Sequence, residues 1–137
     1  MSILTFLDSS VLIAAHRGQS QERESALNII NDSSRDFIVS PFLYLEIVPK
    51  AVHARRSAEI IFYRTYFDNA FRWVSDIESV VKMAQEEAER YGLSAMDTLH
   101  VAAAYLGEAD VLFTLEQRTK PMHRTVLVPV AYLEPVV

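Results

Sequence analysis

The stretch ILTFLDSSVLIAA, residues 3–15, poses the problem that the rest of the chain has to solve. Four of the five residues before Asp8 are large and apolar, and a second apolar run follows Ser9 and Ser10. A carboxylate between two such runs costs on the order of several kcal/mol unless it is paired, solvated or bound to a cation. Two readings account for Asp8. Either it caps a helix that begins at Ser9, or it stands at the end of a buried strand because chemistry happens there.

Outward from this stretch, short apolar runs alternate with helical spacing. Residues 3–7 read as a buried strand, and residues 9–16 as a short helix before Gly18. Residues 20–32 carry helical spacing through Ala26, Leu27, Ile29 and Ile30, and FIVS (37–40) reads as a second strand. Ser40 fits a helix N-cap with Pro41 at the first helical position. Pro49 is expected to kink or break that helix, and the pattern resumes from Lys50 to about Asn69. FRWV (71–74) is a third strand candidate, 78–91 a helix stopped by Gly92, and 95–107 a helix stopped by Gly107. DVLFT (110–114) and TVLV (125–128) supply the fourth and fifth strands. This alternation predicts an α/β domain with a mainly parallel sheet.

The chain has 137 residues, half of them apolar, with no repeat and no linker, so a single domain over 1–137 is expected. It has no cysteine, which excludes disulfides, a thiol nucleophile and a zinc–thiolate site. No apolar stretch approaches the ~20 residues needed to span a bilayer, and Asp8 interrupts the only early apolar run. A soluble, cytoplasmic protein is expected. The formal charge of −5 argues against a protein that coats nucleic acid. Base is nevertheless clustered: over 50–64 Lys50, His53, Arg55, Arg56 and Arg64 stand against Glu59 alone, and 117–124 hold Arg118, Lys120, His123 and Arg124 with no acid. Each cluster is either a solvated face or a surface for phosphates.

Four acids occupy places where a ligand site in an open parallel sheet should lie, beyond the carboxyl ends of the strands. Asp8 follows the first strand, and Glu116 follows the fourth by two residues. Glu46 sits in an apolar helical stretch, where it either pairs with Lys50 at i,i+4 or faces a site. Asp97 has capping-box spacing from Ser94, so it either closes a helix start or joins the other acids. Clustered carboxylates stay ionised only beside a cation, and hard oxygen ligands favour Mg²⁺ or Mn²⁺ over zinc. Such a cation activates water and stabilises charge at a phosphate. Ser9 and Thr114 could hydrogen-bond the acids or serve as turn residues. His100, three residues after Asp97, either orients a water or, the favoured reading, is an ordinary helix histidine facing Ala103 and Ala104.

FLDSSVLIAA, SPFLYLEIVPKA, AMDTLHVAAA and ADVLFTLE, in that order, resemble the PIN domain over nearly the whole chain, and within it the small VapC-like toxin ribonucleases. The resemblance implies a three-layer α/β/α fold with a five-stranded, mainly parallel sheet. It also implies a Mg²⁺- or Mn²⁺-dependent endoribonuclease that cuts single-stranded RNA and is neutralised by a small antitoxin protein. Asp8, Glu46 and Asp97 match the first three acids of the family, and Ser9 and Thr114 the hydroxyls beside them. The fourth acid of the family is an aspartate in a T-x-D pattern; here TLE puts Glu116 in its place, one methylene longer. The aspartate–phenylalanine that usually ends that loop is replaced by QRTKPM.

On this reading Lys50, Arg55, Arg56 and Arg118 contact RNA phosphates, and affinity falls as salt rises. The alternative is a catalytically silent RNA- or protein-binding module of the same fold. A phosphoacceptor domain also needs acids at strand ends, but TVLVPV lacks the lysine such a domain requires. A homodimer is expected, with Tyr63 and Tyr66 of EIIFYRTYF as a dimer face unless that stripe is plain core.

Overall fold

The computed structural model describes residues 1–136. Five strands form one sheet: β1 (Ile3–Leu7), β2 (Arg35–Val39), β3 (Arg72–Trp73), β4 (Val111–Thr114) and β5 (Val130–Tyr132). Their order is β3-β2-β1-β4-β5, and every neighbouring pair is parallel. Six helices connect them: α1 (Ser9–Arg17), α2 (Ser20–Ile30), α3 (Pro41–His53), α4 (Ser57–Asp68), α5 (Ile77–Tyr91) and α6 (Ala95–Leu106). Parallel strands need long crossovers, and right-handed crossovers fix the face on which each helix lies. The chain steps from β1 to β2 and β3 in one direction, then returns to β4 on the far side of β1. α1–α4 therefore pack together on one face and α5–α6 on the other, which gives three layers around a core of Phe6, Leu7, Leu12, Ile38, Leu43 and Leu112. Among the described residues no helix is long and apolar enough to cross a membrane.

The helix starts follow from local chemistry. Ser40 Oγ accepts from the Leu43 amide at 3.2 Å with Pro41 in the first turn, and Asp76 Oδ1 accepts from the Ser79 amide at 3.2 Å. Gly92 ends α5 at φ 69°, a left-handed conformation that glycine adopts without strain. Gly107 has a different reason to be glycine. Its φ of −79° suits any residue, but an added Cβ would lie 2.7 Å from Ile38 Cγ2 and 2.8 Å from Val74 Cγ2. The end of α6 packs against β2 at backbone distance.

Four expectations need correction. Pro49 neither breaks nor ends α3, which continues to His53. The carbonyl its missing N–H would have met belongs to Leu45, a residue 64% exposed, so water can take the vacated place. The helical pattern across 50–69 is instead cut at residues 54–56. There Arg55 turns left-handed (φ 56°), its amide donating to the Val52 carbonyl and the Arg56 amide to the Ala51 carbonyl, a Schellman ending built without glycine. The last strand is not TVLV but Val130–Tyr132. Thr125 Oγ1 accepts from the Leu127 amide and donates to the buried Glu87 carboxylate, which curls 125–128 into a turn tied to α5. Finally, Tyr63 and Tyr66 are not a dimer face: they are 0% and 8% exposed, packed edge-on and tilted against Phe62, Phe67 and Phe37.

Candidate active site

The strand order reverses between β1 and β4, and at such a point an open parallel sheet takes its ligands beyond the carboxyl ends of its strands. Leu7 pairs with Phe113 in register, so Asp8 and Thr114 come side by side. Asp8 is 3% exposed. Its Oδ1 accepts from the Ser10 amide at 3.0 Å, the Val11 amide at 3.4 Å and the Ser10 hydroxyl; its Oδ2 accepts from the Thr114 hydroxyl at 2.6 Å. Both readings of Asp8 therefore hold at once, since it caps α1 and also stands at the end of the central strand.

The two hydroxyls do more than satisfy Asp8. Ser10 Oγ also accepts from the Leu115 amide at 2.9 Å, and Thr114 Oγ1 from the Glu116 amide at 3.0 Å. The segment after β4 is thus hung from the Asp8 carboxylate through two relays. Glu116 is fixed at its other end too, its carbonyl taking a hydrogen bond from His123 Nε2 at 2.8 Å. Ser10 was not singled out from the sequence, because SS at a helix start reads as capping alone.

A second group lies on α3 and α6. His100 Nε2 donates to Glu46 Oε1 at 2.8 Å, and His100 is 1% exposed with Nδ1 lacking a partner. His100 is therefore not an ordinary helix histidine facing alanines. No sequence signal could have shown this, since its partner lies 54 positions away. Of the two readings of Glu46, the pairing with Lys50 does not form, because Glu46 turns to His100. That hydrogen bond is the main cause that lowers the Glu46 pKa; burial opposes it, and the Ser9 hydroxyl and Lys50 ammonium reinforce it. Ser9 thus belongs with Glu46, not with Asp8. Asp97 precedes His100 by three positions, on the same face of α6. Ser94 Oγ accepts from its amide at 3.4 Å, and no ion pair engages its carboxylate among the described residues.

Asp8 pairs with no cation among the described residues, and burial raises its pKa in spite of its hydrogen bonds and the nearby His100. A buried carboxylate of this kind gains from a bound cation. Oδ2 accepts one bond only, which leaves it a lone pair for a ligand. The donors here are hard oxygens, so in type and charge they fit Mg²⁺ or Mn²⁺. They are not gathered in one shell: among the described residues no three His, Cys, Asp or Glu side chains stand together closely enough to hold an ion.

Beside Glu46 and Ser9 a cleft of about 300 Å³ opens between α1, α3 and α4. Of the basic residues singled out in the sequence, Lys50 and Arg56 line it, and Arg55 and Arg118 do not. Arg118 pairs with Glu134 and covers the ring of Tyr132.

A parallel sheet that carries a buried aspartate at its switch point, with further acids on the helices around it, defines a class of α/β domains with an acidic site beyond the strand ends. The PIN domain family model matches residues 5–124, and the chain belongs to that family. A toxin–antitoxin complex from Klebsiella pneumoniae contains a chain of the same fold, with TM-score 0.73, 16% identity, and 96% of this chain and 99% of that one covered. VapBC2 from Rickettsia felis, bound to a DNA fragment from its promoter, superposes with TM-score 0.70 at 12% identity, covering 96% of this chain and 100% of that one. No curated protein matches the sequence.

Proposed function

We propose that this protein is a Mg²⁺- or Mn²⁺-dependent endoribonuclease that cuts single-stranded RNA in the cytoplasm, as the toxin of a toxin–antitoxin pair. The observation that carries the reading is Asp8: a buried carboxylate without a cationic partner at the end of the central strand. Asp8, Glu46, Asp97 and Glu116 are the proposed ligands; to share one cation they would have to draw closer than they stand. The cation would supply an activated water and charge stabilisation at the phosphate when bound. Ser10 and Thr114 fix the Asp8 carboxylate and with it the backbone of Glu116. His100 keeps Glu46 ionised and oriented. The small antitoxin protein is proposed from the complexes in which the structural neighbours occur.

The purified, antitoxin-free protein should cleave single-stranded RNA with Mg²⁺ or Mn²⁺; chelator or Asp8→Asn should abolish cleavage. The second reading, a silent binding module, is favoured by the dispersed acids and by Glu116 in place of aspartate. Failure to cleave several RNAs with both metals, by a protein that still binds them, would decide for it.

A further inference from the structure

The cleft that takes in Glu46 and Ser9 is otherwise rimmed by cations. Arg17 comes from the last turn of α1, Lys50 from α3, and Arg56 from the turn before α4. Ile13, Ile47, Ala51 and Ala54 form its apolar wall, and two buried groups lie at its side: Glu59, 4% exposed, and Tyr63, whose hydroxyl lies beside the Glu59 carboxylate. Arg17 Nε lies 3.4 Å and Arg56 Nη1 3.8 Å from Glu59 Oε1, so one buried carboxylate draws in two arginines from different helices. Both arginines remain about half exposed, and most of the five N–H donors on each stay uncommitted. Lys50 has lost its i,i+4 acid to His100 and forms no ion pair among the described residues.

We infer that this cleft is a phosphate subsite, which holds a phosphodiester group of the RNA strand adjacent to the one cut, through Arg17, Lys50 and Arg56. The identity of the strand rests on the nuclease reading above; the anionic character of the ligand does not. Three cations from three segments converge on one small cleft, the arrangement that a phosphate's oxygens require. A nucleobase would need a stacking face, and the only aromatic residue in the lining, Tyr63, is fully buried and offers its hydroxyl alone.

The test is binding of a fluorescent single-stranded RNA in chelator, read by anisotropy across a salt series. Because no metal is present, binding is measured apart from cleavage. Each cation lost should flatten the slope of log K against log salt by about 0.7. Arg17→Gln, Lys50→Gln and Arg56→Gln should each do so, while Arg90→Gln on α5, the same charge change outside the cleft, should leave the slope as in wild type. The arginine variants weaken the pairing of buried Glu59 and risk unfolding; Lys50→Gln breaks no ion pair and keeps the test decisive. A wild-type slope in Lys50→Gln, or no RNA binding by the unsubstituted protein, would overturn the inference. Inorganic phosphate at constant ionic strength should compete with the RNA for the cleft, and less so in Lys50→Gln; equal competition in both would also overturn it. Cleavage with unchanged slopes would remove the subsite and leave the nuclease standing. Flattened slopes without cleavage under either metal would do the reverse.

Discussion

Thr114→Val is the substitution that probes the site most directly, since it keeps side-chain shape and removes one hydroxyl. That hydroxyl donates to Asp8 at 2.6 Å and accepts from the Glu116 amide at 3.0 Å, and Thr114 is fully buried. A hydrogen bond to a charged group contributes ~1.5–3 kcal/mol, and a stranded amide that water can partly reach adds up to ~1 kcal/mol. The variant should therefore lose about 2–3 kcal/mol at neutral pH. With a urea m-value of ~2 kcal/mol/M, the midpoint should fall by roughly 1 M at unchanged m. Thr114→Ser keeps the hydroxyl and should lose only ~1 kcal/mol, for its methyl group. The pH dependence has a definite sign. Burial already raises the folded pKa of Asp8 above the ordinary aspartate value of 3.8, and the Thr114 hydrogen bond is one of the effects holding it down. Without that bond the folded pKa rises further, so the native variant binds its proton more tightly than the native wild type. The gap between the two proteins should be widest above both folded pKa values. It should narrow as pH falls through the variant's folded pKa and then the wild type's, leaving only the stranded amide. Equal stability of Thr114→Val and Thr114→Ser at neutral pH, or a gap that stays constant on acidification, would refute the role given to this hydroxyl.

His100→Ala should remove the chief cause of the lowered Glu46 pKa. The wild type's advantage from that pair is present above the unfolded value of 4.5 and should be lost as pH falls through the folded pKa, so urea midpoints of the two proteins should converge in acid apart from a constant packing cost. Mg²⁺ or Mn²⁺ should raise the wild-type melting temperature, with ~2.7 kcal/mol of stabilisation at about a hundred times Kd. An equal response in Asp97→Asn would reduce Asp97 to a helix cap. Glu116→Ala should lower cleavage much less than Asp8→Asn, and Glu116→Asp should preserve it; rates equal to Asp8→Asn would make Glu116 a full ligand. Gly107→Ala should destabilise by about 1–2 kcal/mol, since overpacking of ~1–3 kcal/mol against Ile38 and Val74 outweighs the ~0.4–1 kcal/mol gained by stiffening the unfolded chain. A neutral or raised urea midpoint would contradict the close packing of α6.

Much of the fold is legible in the sequence because strands buried on both faces are continuous apolar runs. β1 and β4 are largely of this kind and β2 only over 37–39, and Ser40–Pro41 and Gly92 mark helix ends by their own chemistry. Legibility fails where tertiary contacts decide. Arg55 takes a left-handed conformation with no glycine to announce it, and Thr125 converts an apolar run into a turn through a bond to Glu87, 38 positions away. In the site, Asp8 stands out because burying a charge is costly and therefore conspicuous. His100 and Ser10 do not, since a helix histidine and a serine at a helix start are unremarkable until α6 meets α3 and β4 meets β1. Gly107 reads correctly as a helix end but for the wrong reason: proximity to Ile38 and Val74 requires it, and backbone conformation does not.

The sheet's two margins have a bearing on solubility. Its outermost strands are also its shortest, two residues in β3 and three in β5, against five each in β1 and β2. Each margin carries a guanidinium over an aromatic ring: Arg72 over Phe71 and Arg118 over Tyr132. Few unpaired ladder groups are left there to template a foreign strand, and a charge stands guard beside those that remain. The long, sticky apolar strands sit where only native neighbours reach them. A chain that is half apolar can thus keep from growing into edge-to-edge aggregates, and any assembly that includes it has to be built on side-chain surfaces and not on a shared backbone ladder.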